Sequence, residues 1–225
     1  MAGLHVLRVF VGEDGAGGNP LGVFLRGGDV PAGERQAVAA DLGFSETVFV
    51  DNLERGEIRI FTPGVELPFA GHPSVGTAWL MARDGAPPDV LRPPAGEVRV
   101  RRQGELTFIA ARPEWSPPFE YLELGSPGEV DALTGAPDGL GAAYCWAWLD
   151  EDAGLVRARS FAPEAGIAED EATGSAAIAL CSRLDRPVEI RQGAGSRLVA
   201  RPLDGGFAEV GGRTELDEMR EYLVS

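Results

Sequence analysis

The sequence predicts an α+β chain built from two similar α/β lobes, and three observations predict it. The first is a repeat at an offset of a hundred residues: Arg59-Ile60-Phe61-Thr62-Pro63 returns as Arg159-Ser160-Phe161-Ala162-Pro163. The second is a small-residue glycine turn about ten residues after each copy, running into an apolar stretch. Gly71-His72-Pro73-Ser74 leads into Val75 to Met81, and Thr173-Gly174-Ser175 leads into Ala176 to Leu180. The third is composition. The 31 glycines and 17 prolines are scattered among short apolar runs, a pattern of strands and turns rather than disorder. A fixed-offset repeat reports architecture before any single motif does. Each lobe then holds a strand, a tight turn and a buried helix, and two helix N-termini approach the cleft between the lobes. Their free N–H groups and positive dipole ends favour an anion there.

The elements can be read in chain order. Val6 to Phe10 reads as a strand, then comes the glycine-rich loop Gly12 to Gly18 and a second strand over Leu21 to Leu25. Gly33 to Leu42 carries good helix formers, with Gly43 as a C-terminal cap. Phe44 to Val50 and Glu57 to Phe61 are β-branched and aromatic, hence strands. Val75 to Arg83 is apolar nearly all round, as a helix enclosed by other structure must be. Pro87 to Pro94 is a turn-rich connection, and Glu97 to Arg102 with Leu106 to Ala111 alternates as a hairpin. Pro113 to Pro118 marks the lobe boundary, giving an N-terminal lobe over 1–112 and a C-terminal lobe over 113–225. In the second lobe Val130 to Leu133 starts a short helix, Ala143 to Leu149 and Leu155 to Phe161 are strands, and Ala176 to Arg183 is the second apolar helix. Further strands are expected at Val188 to Arg191, Ser196 to Arg201 and Phe207 to Val210. Thr214 and Asp217 form a capping box for a final helix, Glu215 to Leu223, within a tail 214–225 that packs on either lobe.

Charge and absences narrow the chemistry. The balance is 20 basic against 35 acidic residues, a net of −15, which argues against nucleic acid or an anionic membrane surface as partner. No apolar run approaches the length of a membrane helix, and no leader precedes the first strand, so a cytoplasmic location is expected. The chain has no lysine, which rules out an internal Schiff base with pyridoxal phosphate and the lysine of a P-loop. Only His5 and His72 supply imidazole, and Cys145 and Cys181 sit in apolar surroundings without CxxC spacing. No metal site of the Cys/His kind is expected, and both cysteines read as small buried hydrophobes.

Four segments set polar residues in tight turns beside apolar strands. Gly18-Asn19-Pro20-Leu21-Gly22 reads equally as a structural turn, and the loop before it lacks the GxGxxG or Gly-Lys-Ser/Thr of a nucleotide site. Ser45-Glu46-Thr47 precedes Val48-Phe49-Val50. A carboxylate at the mouth of a buried strand loses solvation, which raises its pKa and suits it to proton transfer; alone, Glu46 is a surface glutamate. His72 starts a buried helix, whose dipole disfavours the imidazolium and keeps the ring neutral. The fourth segment, Gly166 to Ala176, places Glu169, Asp170 and Glu171 before a helix N-terminus, where capping alone would explain a carboxylate.

In this order the four segments resemble the PhzF-like isomerases, the phenazine-biosynthesis F-like family. That family reads approximately GNPLAVV, SETxFV, FTPxxExPxxGHxTxGTA and FxPxxGIxEDPxTGSA. Here the segments are Gly18-Asn19-Pro20-Leu21-Gly22-Val23, Ser45-Glu46-Thr47-Val48-Phe49-Val50, Phe61-Thr62-Pro63 to Gly71-His72-Pro73-Ser74, and Phe161-Ala162-Pro163 to Thr173-Gly174-Ser175-Ala176. Gln192-Gly193 and Val210-Gly211-Gly212-Arg213 are similar to the family's closing strands. The resemblance implies the diaminopimelate-epimerase-like fold, two pseudo-symmetric lobes that each wrap a curved mixed sheet round a central helix. It implies cofactor-free proton transfer in an inter-lobe cleft, on a small anionic metabolite, by a homodimer. It assigns Glu46, His72 and Asp170 to catalysis, and Asn19, Ser45, Gly71, Gly174 and Ser175 to substrate binding. The related epimerases use a cysteine on each lobe, and this chain has none at either glycine turn. Glu171 stands where the family has proline, Ser74 where it has threonine and Gly22 where it has alanine, and the chain is short for the family. The Glu171 change is expected to raise the Asp170 pKa by like-charge repulsion. The rival readings are a non-catalytic small-molecule-binding protein on the same fold and a hydrolase in which His72 activates Ser175.

Overall fold

The structure, a computed structural model, describes residues 1–224. Its first half runs β1 (Ala2–Val11), β2 (Asn19–Phe24), α1 (Arg35–Leu42), β3 (Glu46–Asn52), β4 (Glu57–Phe61), β5 (Glu66–Leu67), α2 (Gly71–Arg83), β6 (Val90–Leu91), β7 (Val98–Gln103) and β8 (Leu106–Ala111). The second half runs β9 (Glu120–Glu123), α3 (Pro127–Asp131), β10 (Ala143–Asp150), β11 (Leu155–Ala162), β12 (Ile167–Asp170), α4 (Gly174–Leu184), β13 (Val188–Gln192), β14 (Ser196–Leu203) and β15 (Phe207–Tyr222). Hydrogen bonds join the strands in the order β5-β4-β3-β2-β1-β15-β14-β13-β11-β10-β9, with β12 on β11 and the ladder β6-β7-β8 attached through β8 to β15.

The repeat in the sequence is a repeat of pairing. In the first half β2 runs parallel to β3, which pairs antiparallel with β4, which pairs antiparallel with β5. In the second, β9 runs parallel to β10, then β10–β11 and β11–β12 are antiparallel. Helices α1 and α3 occupy the same place in each half, between the two parallel strands. β11 also lies parallel to β13, and its counterpart β4 makes a parallel bridge at Glu57 to Arg92 just after β6. The arginine that opens each sequence copy does the same job twice. Arg59 pairs with Glu66 across β4–β5, and Arg159 pairs with Glu169 across β11–β12.

Burial explains the two apolar helices. α2 buries ten of its 13 residues and α4 seven of its 11, against three of eight for α1. α2 packs against β1, β2, β3, β8 and β15, while α4 packs against β14 and β15. A helix enclosed on most sides has no polar face to show, which is why both read as apolar all round. α1 ends at Gly43, whose left-handed φ of 67° and N–H to the Ala39 carbonyl make the expected cap. No helix among the described residues is long and apolar enough to cross a membrane.

The expected final helix is not there. Residues 207–222 are one strand, and 213–222 pair antiparallel with β1 from Val11 back to Ala2; Ser225 lies outside the described residues. Thr214 is buried in the sheet, and Asp217 takes the Arg8 guanidinium at 3.0 Å rather than capping anything. Glu, Met, Arg and Leu favour a helix only weakly. The open edge of β1 offers the same residues a full ladder of backbone hydrogen bonds, and tertiary pairing overrides propensity.

Candidate active site

The two central helices meet end to end. Helix α2 begins at Gly71, four residues before the expected Val75, and α4 begins at Gly174. A Cβ on Gly71 would stand 2.6 Å from the Gly174 carbonyl carbon and the Ser175 nitrogen, and one on Gly174 would stand 3.0 Å from the His72 nitrogen. Only glycine allows backbones so close. Neither terminus carries a side-chain cap. No N-cap side chain bonds the first-turn N–H groups of either helix, and such groups at a helix N-terminus attract an anion.

Around this junction the structure gathers every residue assigned from the sequence: Asn19 at the start of β2, Ser45 and Glu46 at the start of β3, His72 on α2, Asp170 at the end of β12 and Ser175 on α4. Asn19 is the hub. Its Nδ2 donates to Asp170 Oδ1 at 2.6 Å and to the Ala172 carbonyl at 2.9 Å, and its Oδ1 accepts from Ser45 Oγ at 3.1 Å. The Glu46 side chain is 13% exposed and that of His72 4%, and Glu46 Oε2 faces His72 Nε2 at 3.4 Å. Neither atom has a hydrogen-bond partner. A buried acid and a buried imidazole held face to face without bonds are poised for a third molecule.

Electrostatics set their protonation. Burial pushes the Glu46 carboxyl up to about 7, with the Ser45 hydroxyl opposing. Burial likewise lowers His72 to about 4, against the Asp170 charge and the Pro20 carbonyl. The ring is neutral as expected, and desolvation is the largest cause. Both protons of Asn19 Nδ2 are already donated, so its 3.4 Å contact with His72 Nδ1 is not a third donation. Nε2 faces Glu46 Oε2, and in the tautomer that carries its proton on Nδ1 a protonated Glu46 can donate to it.

Asp170 is raised by burial first and by the Glu46 charge second, opposed by His72, Thr173 and Asn19. The expected like charge was Glu171, but that carboxylate turns away to the Ala194 N–H and the Ser196 hydroxyl. Glu169 is bound to Arg159, so none of the three acids caps α4, whose N-cap residue is Thr173. Three residues here had been given no role from the sequence, although Thr173 and Gln192 lie in motifs quoted above. Thr173 Oγ1 donates to Asp170 Oδ2 at 2.6 Å, Gln192 Nε2 donates to Thr173 Oγ1 and to the Asp170 carbonyl, both at 2.9 Å, and Tyr144 Oη donates to Gln192 Oε1 at 3.0 Å. In the alternating strand Val188-Glu189-Ile190-Arg191-Gln192 the glutamine falls on the inward face with Val188 and Ile190, and that was the available signal for this buried chain.

The hydrolase reading gains nothing from the geometry: His72 Nδ1 lies against Asn19 and Nε2 against Glu46, and no hydrogen bond among the described residues joins the ring to Ser175. The thiols stand apart as well. Cys145 and Cys181 are free and fully buried, and burial raises both, Cys181 to about 12. The native protein is expected to resist iodoacetamide at pH 8 and to take up two labels per chain only in denaturant. Mass spectrometry checks this, and rapid native labelling with loss of activity would contradict it. A surface depression of about 490 Å³ beside α4, lined by Pro113, Arg183, Leu203 and Phe207, contains none of the residues above and is not the site.

Comparison with known proteins identifies the family and the fold. The family model described as phenazine biosynthesis-like protein matches residues 8–135. A trans-2,3-dihydro-3-hydroxyanthranilate isomerase from Pseudomonas fluorescens is 32% identical, over 88% of this chain and 87% of that protein. Among solved structures, a phenazine biosynthesis PhzC/PhzF protein from Clostridium difficile superposes with a TM-score of 0.81 at 19% identity, covering 100% of both chains. A protein named as a predicted epimerase from Pseudomonas aeruginosa does so with a TM-score of 0.75 at 26% identity, again over 100% of both. Two pseudo-equivalent halves, two abutting helix N-termini and these matches together place the chain in the phenazine biosynthesis-like (PhzC-PhzF) family, as an isomerase with the epimerase-like fold.

Proposed function

We propose that the protein isomerises a small carboxylated metabolite by moving one proton between carbons, with Glu46 as the proton carrier and no cofactor. The observation that carries this reading is the unpartnered pair Glu46 Oε2 and His72 Nε2 beside two uncapped helix N-termini. Ionised Glu46 takes a proton from a carbon next to an unsaturated system, leaving the electron pair delocalised toward the substrate's carboxylate. The first-turn N–H groups of α2 and α4 hold that carboxylate and its developing charge, preorganised stabilisation that needs no rearrangement during reaction. Protonated Glu46 then returns the proton to the far end of the delocalised system, so the composition is unchanged and the product is an isomer. His72 accepts a hydrogen bond from the protonated acid, while Asp170 and Asn19 orient the substrate's polar substituents. A carboxyl near 7 is matched to this two-way task at neutral pH. The homodimer and the cytoplasmic location belong to the same proposal and rest on the family resemblance.

Trans-2,3-dihydro-3-hydroxyanthranilate, the substrate that names the relatives, is the first to test. We expect conversion with deuterium from heavy water entering a ring carbon of the product. The kcat/KM should rise with pH to a plateau above about 7, because abstraction needs the ionised carboxylate. Conversion with no pH dependence between 5 and 9, a window of about two units either side of that value, would remove Glu46 from the role. Saturable binding without turnover or deuterium exchange would favour the binding-protein reading.

A further inference from the structure

We propose that Glu171 is a positioning residue, the clasp that holds the two halves together at the site and fixes Asn19 against Asp170. The proposal rests on the functional reading above for its kinetic arm only. Glu171 accepts hydrogen bonds from the Ala194 N–H at 2.9 and 3.0 Å and from the Ser196 hydroxyl at 2.7 Å. Ser196 is fully buried, and its Oγ accepts in turn from the Gly18 N–H at 2.8 Å. Gly18 is the residue before Asn19, whose amide returns to Asp170, the residue before Glu171. The chain of bonds is therefore closed: Glu171, Ser196, Gly18, Asn19, Asp170 and back along the backbone to Glu171.

Two glycine turns make the ring tight. The Gly12 to Gly18 loop of the first half lies flat on the Gly193 to Gly195 turn of the second. A Cβ on Gly17 would stand 2.4 Å from the Ser196 nitrogen, and one on Gly12 would stand 2.5 Å from the Gly195 oxygen. On Gly193 it would strike the Glu171 carboxylate at 2.2 Å. The loop and the turn touch backbone to backbone, and the Glu171 carboxylate lies directly against the turn at Gly193 and so decides where it sits. Asn19 spends both amide protons on Asp170 and Ala172 across the junction of the halves, and a shift of Gly18 moves them. Hydrogen bonds to a charged acceptor are the stronger kind, and a ring of them is worth more than its separate members.

Amide hydrogen exchange on the folded protein tests the clasp without any substrate. Glu171→Ala should speed exchange of the Gly18 N–H at least about tenfold, as loss of a charged acceptor behind its partner implies. The Gly43 N–H, which caps α1 outside the ring of bonds, should exchange as in the wild type. Glu171→Gln keeps one acceptor oxygen and should restore Gly18 to within about threefold. Ser196→Ala should match Glu171→Ala, and the double variant should be no worse than either, because both break one ring. In the kinetic arm, Glu171→Ala should lower kcat/KM about tenfold through lost orientation, with the pH limb near 7 unmoved. Unchanged Gly18 exchange in Glu171→Ala would overturn the proposal, and so would equal acceleration at Gly18 and Gly43, which marks global destabilisation. If the wild type turns over no candidate substrate, the functional reading fails while the exchange result still decides the clasp.

Discussion

Glu46→Gln is expected to abolish proton transfer while making the protein more stable at alkaline pH. The amide cannot carry a proton between carbons, so turnover should fall by roughly 10²–10⁴-fold, the usual scale of lost general acid–base catalysis. The amide has the size of the carboxyl and keeps a group 3.4 Å from His72 Nε2, so packing and orientation should survive. The stability effect arises from burial. The carboxyl sits at about 7 in the folded protein against 4.5 when solvated. Below 4.5 both states are protonated, and the wild type and the variant should melt alike. Between 4.5 and about 7 the unfolded chain ionises first, and the wild type loses stability as pH rises. Above that window the full penalty, on the order of 3 kcal/mol, separates the two proteins. Melting curves at pH 4.5 and pH 9, about two units past the titration, with kinetics at the same points, check both halves. A variant that keeps wild-type turnover would end the mechanism. A variant no more stable at high pH would mean that Glu46 is not desolvated as its surroundings require.

Gly71→Ala is expected to cost about 1–3 kcal/mol and most of the activity, a large effect for one methyl group. The obstacle is backbone: the added Cβ lies 2.6 Å from both the Gly174 carbonyl carbon and the Ser175 nitrogen. Relief requires the two helix N-termini to separate, which spreads the N–H groups meant for one carboxylate. Neighbouring glycines provide the scale. Gly174→Ala meets its nearest atoms at 3.0 to 3.2 Å and needs only a few tenths of an ångström. Gly76→Ala meets Leu21 and Val9 methyl groups at 2.6 and 2.7 Å, core side chains rather than the backbone of the other helix. The expected order of damage to kcat/KM is Gly71 first, then Gly174, with Gly76→Ala affecting stability alone. Denaturant melts and steady-state kinetics on the three variants test it, and wild-type activity in Gly71→Ala would refute the shared anion site.

The eight residues assigned from the motifs converge, because each lies where an element starts or ends. Such positions are marked by turn chemistry: the Asn19-Pro20 entry to β2, Ser45 before β3, and the glycines that open α2 and α4. Turn preferences act over three or four neighbours, so local sequence carries them. The halves' equivalence was legible for the same reason, since Arg59 and Arg159 each serve a partner within ten residues on the next strand. Long-range pairing was not legible. Residues 214–222 have helical composition and form a strand only because β1, two hundred residues earlier, presents an unpaired edge and Arg8 presents its charge to Glu215 and Asp217. The same holds for Glu171, which reads as a helix-terminal acid until the fold brings Ser196 to it from 25 residues away. Local sequence marked the turns at which most elements begin and the side chains that gather at the junction of α2 and α4. Tertiary structure decided what each charge faces, because desolvation and ion pairing depend on neighbours that only folding supplies.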